Sequence, residues 1–183
     1  MPSFYTRFKS PLGSILLTSE GKSITGLYLP GHPDYANHHR ATLKPSLFKP
    51  AVKQLEEYFE GKRRRFRLTI APAGTAFQKK VWNALRTIEH GETKTYGEIA
   101  KAIKKPGAAR AVGLANQKNP ISIIIPCHRV IGSNGTLTGY SGGLEAKKKL
   151  LSLEGNFLIL KKKVKEIPRK NNRKRRNPKK SRD

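Results

Sequence analysis

The stretch Asn119–Val130, read N-P-I-S-I-I-I-P-C-H-R-V, constrains the fold more than any other part of the chain. Ile121–Ile125 is a largely apolar run bounded by turn residues, the signature of a buried strand, although periodicity alone does not separate it from a buried helical piece. Pro126 lacks an N–H and fixes its own φ, so regular pairing should stop there and Cys127 should open a turn. A lone cysteine at the mouth of a buried strand, beside a titratable ring, is a candidate nucleophile. Taken alone, the same residue reads more readily as a small buried hydrophobe, the usual fate of free cysteine, so the case for a nucleophile must come from the rest of the chain. Neighbours in an extended strand point to opposite faces, so His128 can serve Cys127 only if the backbone turns between them.

Charge supplies the next constraint. Lys and Arg number 38 against 12 Asp and Glu, for a formal net charge of +26. The last 23 residues, Lys161–Asp183, hold thirteen basic and two acidic side chains, or +11, so residues 1–160 still carry +15. A basic body implies a polyanionic partner through counterion release, and nucleic acid fits better than lipid because no basic amphipathic helix has a bulky apolar face. One cysteine forms no internal disulfide, which points to a reducing compartment. The N-terminus lacks the apolar core of a signal peptide, and no apolar run approaches the ~18 residues of a membrane span. These features predict a soluble intracellular protein with no membrane partner.

Along the chain, Ser3–Lys9, Ser14–Ser19 and Ile24–Leu29 read as an antiparallel meander punctuated by Ser10-Pro11-Leu12-Gly13 and Glu20-Gly21-Lys22. Gly31–Lys44 reads as a solvated loop. Its His32, His38 and His39 suggest a metal only weakly, since no cysteine and no regular spacing accompany them. Pro50–Gly61 reads as a helix with Val52, Leu55, Tyr58 and Phe59 on one face, and Arg63–Ile70 as a further strand. Ala71-Pro72-Ala73-Gly74 is the expected boundary.

Beyond it, Thr75–Ile88 has a helical apolar face, with Thr75 placed to cap its start and Trp82 in the core. Thr95-Tyr96-Gly97-Glu98 is a capping box opening a helix to about Ile103. A turn at Lys104–Gly107 leads into a second short helix, Ala108–Gln117, and the pair reads as a helix-turn-helix. The second helix offers base edges one arginine and little else, so it is suited to approaching a duplex backbone rather than to reading sequence; Arg110 either enters the DNA or sits on a solvated face. Asn134-Gly135 signals a tight hairpin, Leu144–Glu154 a last helix, residues 156–160 a final apolar segment, and the tail a disordered phosphate anchor.

From Pro126-Cys127-His128-Arg129-Val130 outward, the chain resembles the methylated-DNA–protein-cysteine methyltransferases, the O6-alkylguanine-DNA alkyltransferases. The likeness runs over residues 75–155 through Tyr96, Arg110 in A-R-A-V-G, Asn119 in N-P, Tyr140-Ser141-Gly142-Gly143, and Glu154 before glycine. It implies an α+β protein: a small ribonuclease-H-like α/β domain over residues 1–72, a mainly helical, winged-helix-like domain with a helix-turn-helix over 73–160, and the basic tail at 161–183. It further implies irreversible, one-for-one alkyl transfer from O6-alkylguanine, and O4-alkylthymine, in a flipped-out base to Cys127. His128 would take the thiol proton through a water, Glu154 would orient His128, and Asn119 would brace the turn. Tyr96, Val130, Tyr140, Ser141 and Gly142 would form the base pocket. Ala109, Arg110, Gly113 and Arg129 would contact double-stranded DNA in its minor groove without regard to sequence. The resemblance implies a cytoplasmic, nucleoid-associated protein (nuclear in a eukaryote), monomeric and without cofactor. Some relatives bind zinc through N-terminal cysteines missing here, so no metal is expected. Ser122 stands where some carry proline, which leaves the range of alkyl groups open.

Three other readings compete. A non-catalytic protein could bind alkylated DNA and flag it for another pathway, as superfamily members without the cysteine do. A Cys-His hydrolase would need a carbonyl substrate and leave the charge unexplained. An architectural DNA-binding protein would rest mainly on the tail.

Overall fold

The free edge of an N-terminal sheet is where the two halves of this chain are joined. The computed structural model describes residues 3–36 and 40–155. His38, His39, the segment 156–160 and the basic tail lie outside the described residues. Strands β1 (Phe4–Ser10), β2 (Gly13–Ser19), β3 (Ile24–Tyr28) and β4 (Thr42–Leu43) form a sheet of order β3-β2-β1-β4, antiparallel except for the β1–β4 pair. Gly13, at φ +97°, makes the first turn possible, and the Ser10 hydroxyl bonds within it to the Gly13 carbonyl at 2.8 Å. Ile15, Leu16 and Leu17 are buried in succession, so both faces of β2 are covered. Helix α1 (Lys49–Phe59) lies against the sheet through Ala51, Leu55 and Tyr58.

The outer edge of β3 does not end in solvent. Leu27 donates its N–H to the Pro120 carbonyl at 2.9 Å and accepts from the Ser122 N–H at 3.0 Å, while Ile24 bridges to Ile70. An exposed edge is thereby closed by the segment leading to the cysteine.

The second half comprises α2 (Ala76–Leu85), β5 (Lys94–Thr95), α3 (Tyr96–Ala102), α4 (Ala109–Gln117), a 3₁₀ turn (Cys127–Arg129), β6 (Val130–Ile131) and α5 (Leu144–Leu153). Helices α2 and α3 each start from a capping box, Thr75 with Gln78 and Thr95 with Glu98. Between α3 and α4, Lys104 and Gly107 adopt positive φ, which makes the tight turn of the helix-turn-helix. Trp82 on α2 is 1% exposed and donates Nε1–H to the Ala115 carbonyl of α4 at 2.9 Å, satisfying a carbonyl near the helix end. Strands β5 and β6 pair in parallel and bring the start of α3 alongside the cysteine turn.

Four sequence expectations are corrected here. Ile121–Ile125 is neither strand nor helix. Only Ile121 bridges, to Leu27, and the Asn119 side chain then folds the run into a buried turn by accepting from Ile121 N–H and donating to the Ile125 carbonyl. Arg63–Ile70 is an extended edge segment that bridges to the sheet at Ile70 alone, not a strand. Asn134-Gly135 turns the chain as expected, with the Asn134 side chain accepting from Thr136, but no paired strands extend from it. His32 is buried rather than solvated, its Nδ1 accepting from the Asp34 N–H at 3.0 Å.

Thr75→Ala and Thr95→Ala are each expected to cost about 1 kcal/mol, the usual worth of an N-cap side chain, and to add when combined because they cap different helices. Urea unfolding of the two single variants and the double variant measures this.

Candidate active site

Cys127 is placed by backbone bonds rather than by a regular element. Its N–H donates to the Ile125 carbonyl at 2.8 Å, and its own carbonyl accepts from Asn116 Nδ2 on α4 at 3.2 Å. Asn119 closes the preceding turn, in which Ile123 is held at φ +69°, a conformation that a β-branched residue adopts only under constraint. The 3₁₀ turn Cys127–Arg129 then rotates successive side chains away from strand alternation. That is the condition His128 needs to act beside Cys127.

His128 is fully buried, and its Nε2 lies 2.9 Å from Glu154 Oε1. Burial would raise the Glu154 carboxyl, but the hydrogen bonds from His128 and Arg129 and the Arg129 charge overcome it and hold the group well below the ordinary carboxyl range. An ionised carboxylate only accepts, so the proton between them sits on His128 Nε2. Burial lowers the affinity of the ring for a second proton, and the Arg129 and Lys147 charges oppose it further, against the pull of Glu154. The neutral ring therefore keeps its basic lone pair on Nδ1, a buried atom with no hydrogen-bond partner among the described residues.

The Glu154 carboxylate collects more than the histidine. Arg129 donates Nε–H to Oε2 at 2.8 Å and Nη2–H to Oε1 at 2.9 Å, and its Nη1 binds the Ile88 carbonyl at 2.6 Å. Tyr58 of α1 donates its hydroxyl to Oε1 at 2.7 Å, and the Gly91 N–H approaches Oε2 at 3.5 Å. Arg129, expected on the DNA surface, is thus a buried partner of the relay carboxylate. It is 6% exposed.

Burial pushes the Cys127 thiol up, while the Asn119 amide and the Lys147 ammonium pull the other way. Lys147 is itself completely buried on α5, donating to the carbonyls of Val130 and, at 2.8 Å, Thr138; its burial lowers its pKa to about 8. The carbonyl of Val130, a residue expected to line the base pocket, therefore already has a donor.

Tyr140 lies against the thiol, its hydroxyl deprived of a good hydrogen bond and its acidity suppressed by burial and by Cys127. Ser141 and Gly142 follow it. A Cβ on Gly142 would stand 2.8 Å from Leu29 Cδ1, so only glycine lets this loop rest on the N-terminal half. Tyr96, at the start of α3, donates to the Thr138 carbonyl at 3.3 Å and spans the same loop. Six buried side-chain polar atoms lack a partner among the described residues, and five of them belong to Asn116, Ser122, His128, Tyr140 and Ser141 around the cysteine turn. Buried polar groups are normally satisfied, so this concentration marks a place built for a polar ligand.

Arg110 is exposed on α4, with Ala109 half-buried beside it; the Cβ position of Gly113, one turn on, is 3.8 Å from the Tyr96 ring. The structure thus brings Cys127, His128, Glu154, Asn119 and Tyr140 together and sets Arg110 on the outer face of the helix that holds the Cys127 carbonyl. Sequence reasoning missed Tyr58, Asn116 and Lys147. Lys147 opens a run of three lysines whose spacing reads as a solvated face, and only its register with Leu150 and Leu151 on α5 signals an inward direction. Among the described residues, no three or more His, Cys, Asp or Glu are grouped to hold a metal, and no helix is long and apolar enough to cross a membrane.

The chain is similar over most of its length to proteins of one family. Residues 3–72 match the family model for the ribonuclease-like domain of 6-O-methylguanine DNA methyltransferase, and residues 76–156 match that for its DNA binding domain. A methylated-DNA–protein-cysteine methyltransferase of Methanosarcina acetivorans is 50% identical over 154 residues, covering 84% of this chain and 99% of the relative. That of Mycobacterium tuberculosis is 49% identical over 150 residues, covering 82% and 91%. A crystal structure of Mycobacterium tuberculosis OGT in complex with DNA superposes with a TM-score of 0.80 at 48% identity, over 84% of this chain and 93% of that one.

Because the folded Glu154 carboxyl is held below its ordinary value of 4.5, the native state binds fewer protons than the unfolded chain in that window. Its stabilisation is complete above about pH 4.5 and is lost as pH falls toward the folded value. Resistance to denaturant should therefore weaken steadily below that pH. Glu154→Ala should lose about 3–5 kcal/mol at pH 7, because it strands the buried Arg129 charge, and should flatten the acid dependence.

Proposed function

The chain belongs to the 6-O-methylguanine DNA methyltransferase family, and on that premise we propose that it repairs DNA by transferring the alkyl group of O6-alkylguanine permanently to Cys127. The observation that carries this reading is the buried Cys127 turn with a neutral His128, its Nε2–H given to Glu154 and its Nδ1 lone pair free.

His128 Nδ1 takes the thiol proton through a water, and the resulting thiolate attacks the alkyl carbon opposite the guanine oxygen. The S–C bond forms as the C–O bond breaks, the electron pair passes to the guanine oxygen and ring, and a proton returned to the ring gives guanine. Tyr96 would donate to a guanine ring nitrogen and the Ser141 N–H would meet the charge developing on the oxygen, an oxyanion-hole type of task. Tyr140 walls the pocket and Gly142 lets the loop close over it. Asn119 holds the turn, and Glu154 with Arg129 holds the histidine. Lys147 supports the positive field around the sulfur while occupying the Val130 carbonyl.

The target carbon is stacked inside a duplex, so the nucleotide must be flipped out at a cost of a few kcal/mol. Cys127 is 1% exposed, so a base reaches it only if the covering segments give way, and the glycine-rich segment 139–143 beside Tyr140 is the one we propose moves. Helix α4, with Ala109 and Gly113 giving it a smooth surface, lies in the minor groove, and Arg110 fills the space the base leaves. Phosphate contacts from the basic surface offset the cost of flipping without reading sequence. Residues 1–72 form the ribonuclease-H-like domain, 73–160 the alkyltransferase and DNA-binding domain, and no resident cofactor takes part. O4-alkylthymine offers the same saturated carbon on an aromatic oxygen and is the second substrate. The work is done on chromosomal DNA, in the cytoplasm of a prokaryote or the nucleus of a eukaryote.

The product is a thioether. It has no carbonyl for water to attack and no good leaving group, so the chain works once per molecule.

Incubating the protein with an excess of O6-methylguanine duplex should raise its intact mass by one methyl group, located on Cys127, and restore one guanine per protein. Cys127→Ala should bind the duplex and gain no mass. An unchanged wild-type mass, or several guanines restored per protein, defeats the proposal.

A further inference from the structure

A second concave site lies behind the relay, away from α3, α4 and the loop at 139–142. It is a cleft of about 220 Å³ between the extended segment 64–68, the end of α2 with its following turn, and the turn that precedes the cysteine at Pro126. Its lining includes four arginines, Arg64, Arg65, Arg86 and Arg129, against one carboxylate, Glu89. Arg65 is paired with Glu89 at 2.7 Å, on an exposed surface where such a pair is worth little. Arg64 and Arg86 are exposed and have no acidic partner within ion-pair distance among the described residues.

Arg129 makes this more than a patch of surface charge. Unlike the rim arginines it is buried, and three of its N–H groups are committed, to the two Glu154 oxygens and the Ile88 carbonyl. A guanidinium carries five N–H donors in a fixed plane, so one on each terminal nitrogen has no acceptor among the described residues. A fixed, buried, partly unsatisfied guanidinium with two exposed ones at the rim is the arrangement that recognises a tetrahedral oxyanion.

We propose that this cleft binds a phosphate group, supplied by the backbone of a nucleic acid strand other than the duplex segment held by α4. The volume admits one phosphate with its attached sugar, and no aromatic platform for stacking a base faces four cations there except Phe66 at the wall. Recognition is therefore of the backbone and independent of sequence. The site gives the protein a second hold on DNA, next to the relay but sharing no side chain with the face that carries Arg110. It does not depend on the chemistry at Cys127.

The test uses the full chain and undamaged duplex, so that failure of alkyl transfer and failure of this site are separable. Affinity is measured against salt for the wild type, for the Arg64→Ala/Arg86→Ala double variant, and for Arg110→Ala. With one phosphate fewer neutralised, the slope of log affinity on log salt should fall by about 0.9 in the double variant. Alkyl transfer from saturating O6-methylguanine duplex should stay at the wild-type rate, which also certifies the fold. A parallel thermal melt compares inorganic phosphate with chloride at equal ionic strength. Stabilisation by phosphate that the double variant loses, with the salt slope unchanged, assigns the cleft to free phosphate instead of DNA backbone. An unchanged slope together with no phosphate-specific stabilisation overturns the proposal.

Discussion

The buried carboxylate of Glu154 is the group on which the rest of this structure turns. Its two oxygens receive donors from His128 and Arg129 of the cysteine turn, from Tyr58 of α1, and from the backbone after α2. A charge in so dry a place is costly unless every lone pair is occupied, and here separate chain segments converge to occupy them. The consequence is that the catalytic geometry and the docking of the two halves share one interaction. Tyr58 belongs to the N-terminal half, so that half, which carries no chemistry of its own, still sets the charge that His128 feels. Burial, with the Arg129 and Lys147 charges, keeps the histidine neutral against the pull of this carboxylate and leaves its Nδ1 available.

The cysteine turn shows how local strain is held by the same network. Ile123 takes up a left-handed backbone that costs of order 1–3 kcal/mol, and Asn119, Asn116 and the β3 edge over-determine it. A strand carried on past Pro126 would have placed Cys127 and His128 on opposite faces, and the turn that Pro126 predicts at Cys127 avoids this. Folding the run into a turn costs backbone pairing, and Asn119 replaces those bonds with side-chain ones. The residue that makes the turn and the residue proposed to take the alkyl carbon are eight positions apart and belong to one unit.

Much of this was readable from the chain. The two capping boxes, Trp82 in the core, the inward face of α1 and the helix-turn-helix follow from side-chain spacing, because local hydrogen bonds and periodicity decide them. The strand expected at Ile121–Ile125 failed because apolar runs report burial and say nothing of what a side-chain amide two residues away will bond. Arg129 read as a phosphate contact because a cation after a histidine shows no sign of the carboxylate 25 positions on. Lys147 hid within a lysine run, and Tyr58 passed for an ordinary core aromatic because its hydroxyl partner lies 96 residues away. Long-range polar pairs leave no local pattern. What periodicity supplied was the scaffold, and what it missed was the wiring between its parts.

The electrostatics also suit a protein that works once. A thiolate is far more reactive than a thiol toward oxidants and stray electrophiles, and its abundance follows the thiol pKa. Burial holds the Cys127 thiol up, so the resting sulfur stays protonated and shielded beneath Tyr140. On the proposed mechanism His128 is the base that removes its proton, and only a ligand that enters the pocket brings the electrophilic carbon to the sulfur. Had the sulfur been exposed and ionised, Lys147 and the basic body would have stabilised it as a standing target. Reactivity is instead conditional on the substrate being seated, which matters most where a spent nucleophile is never regenerated.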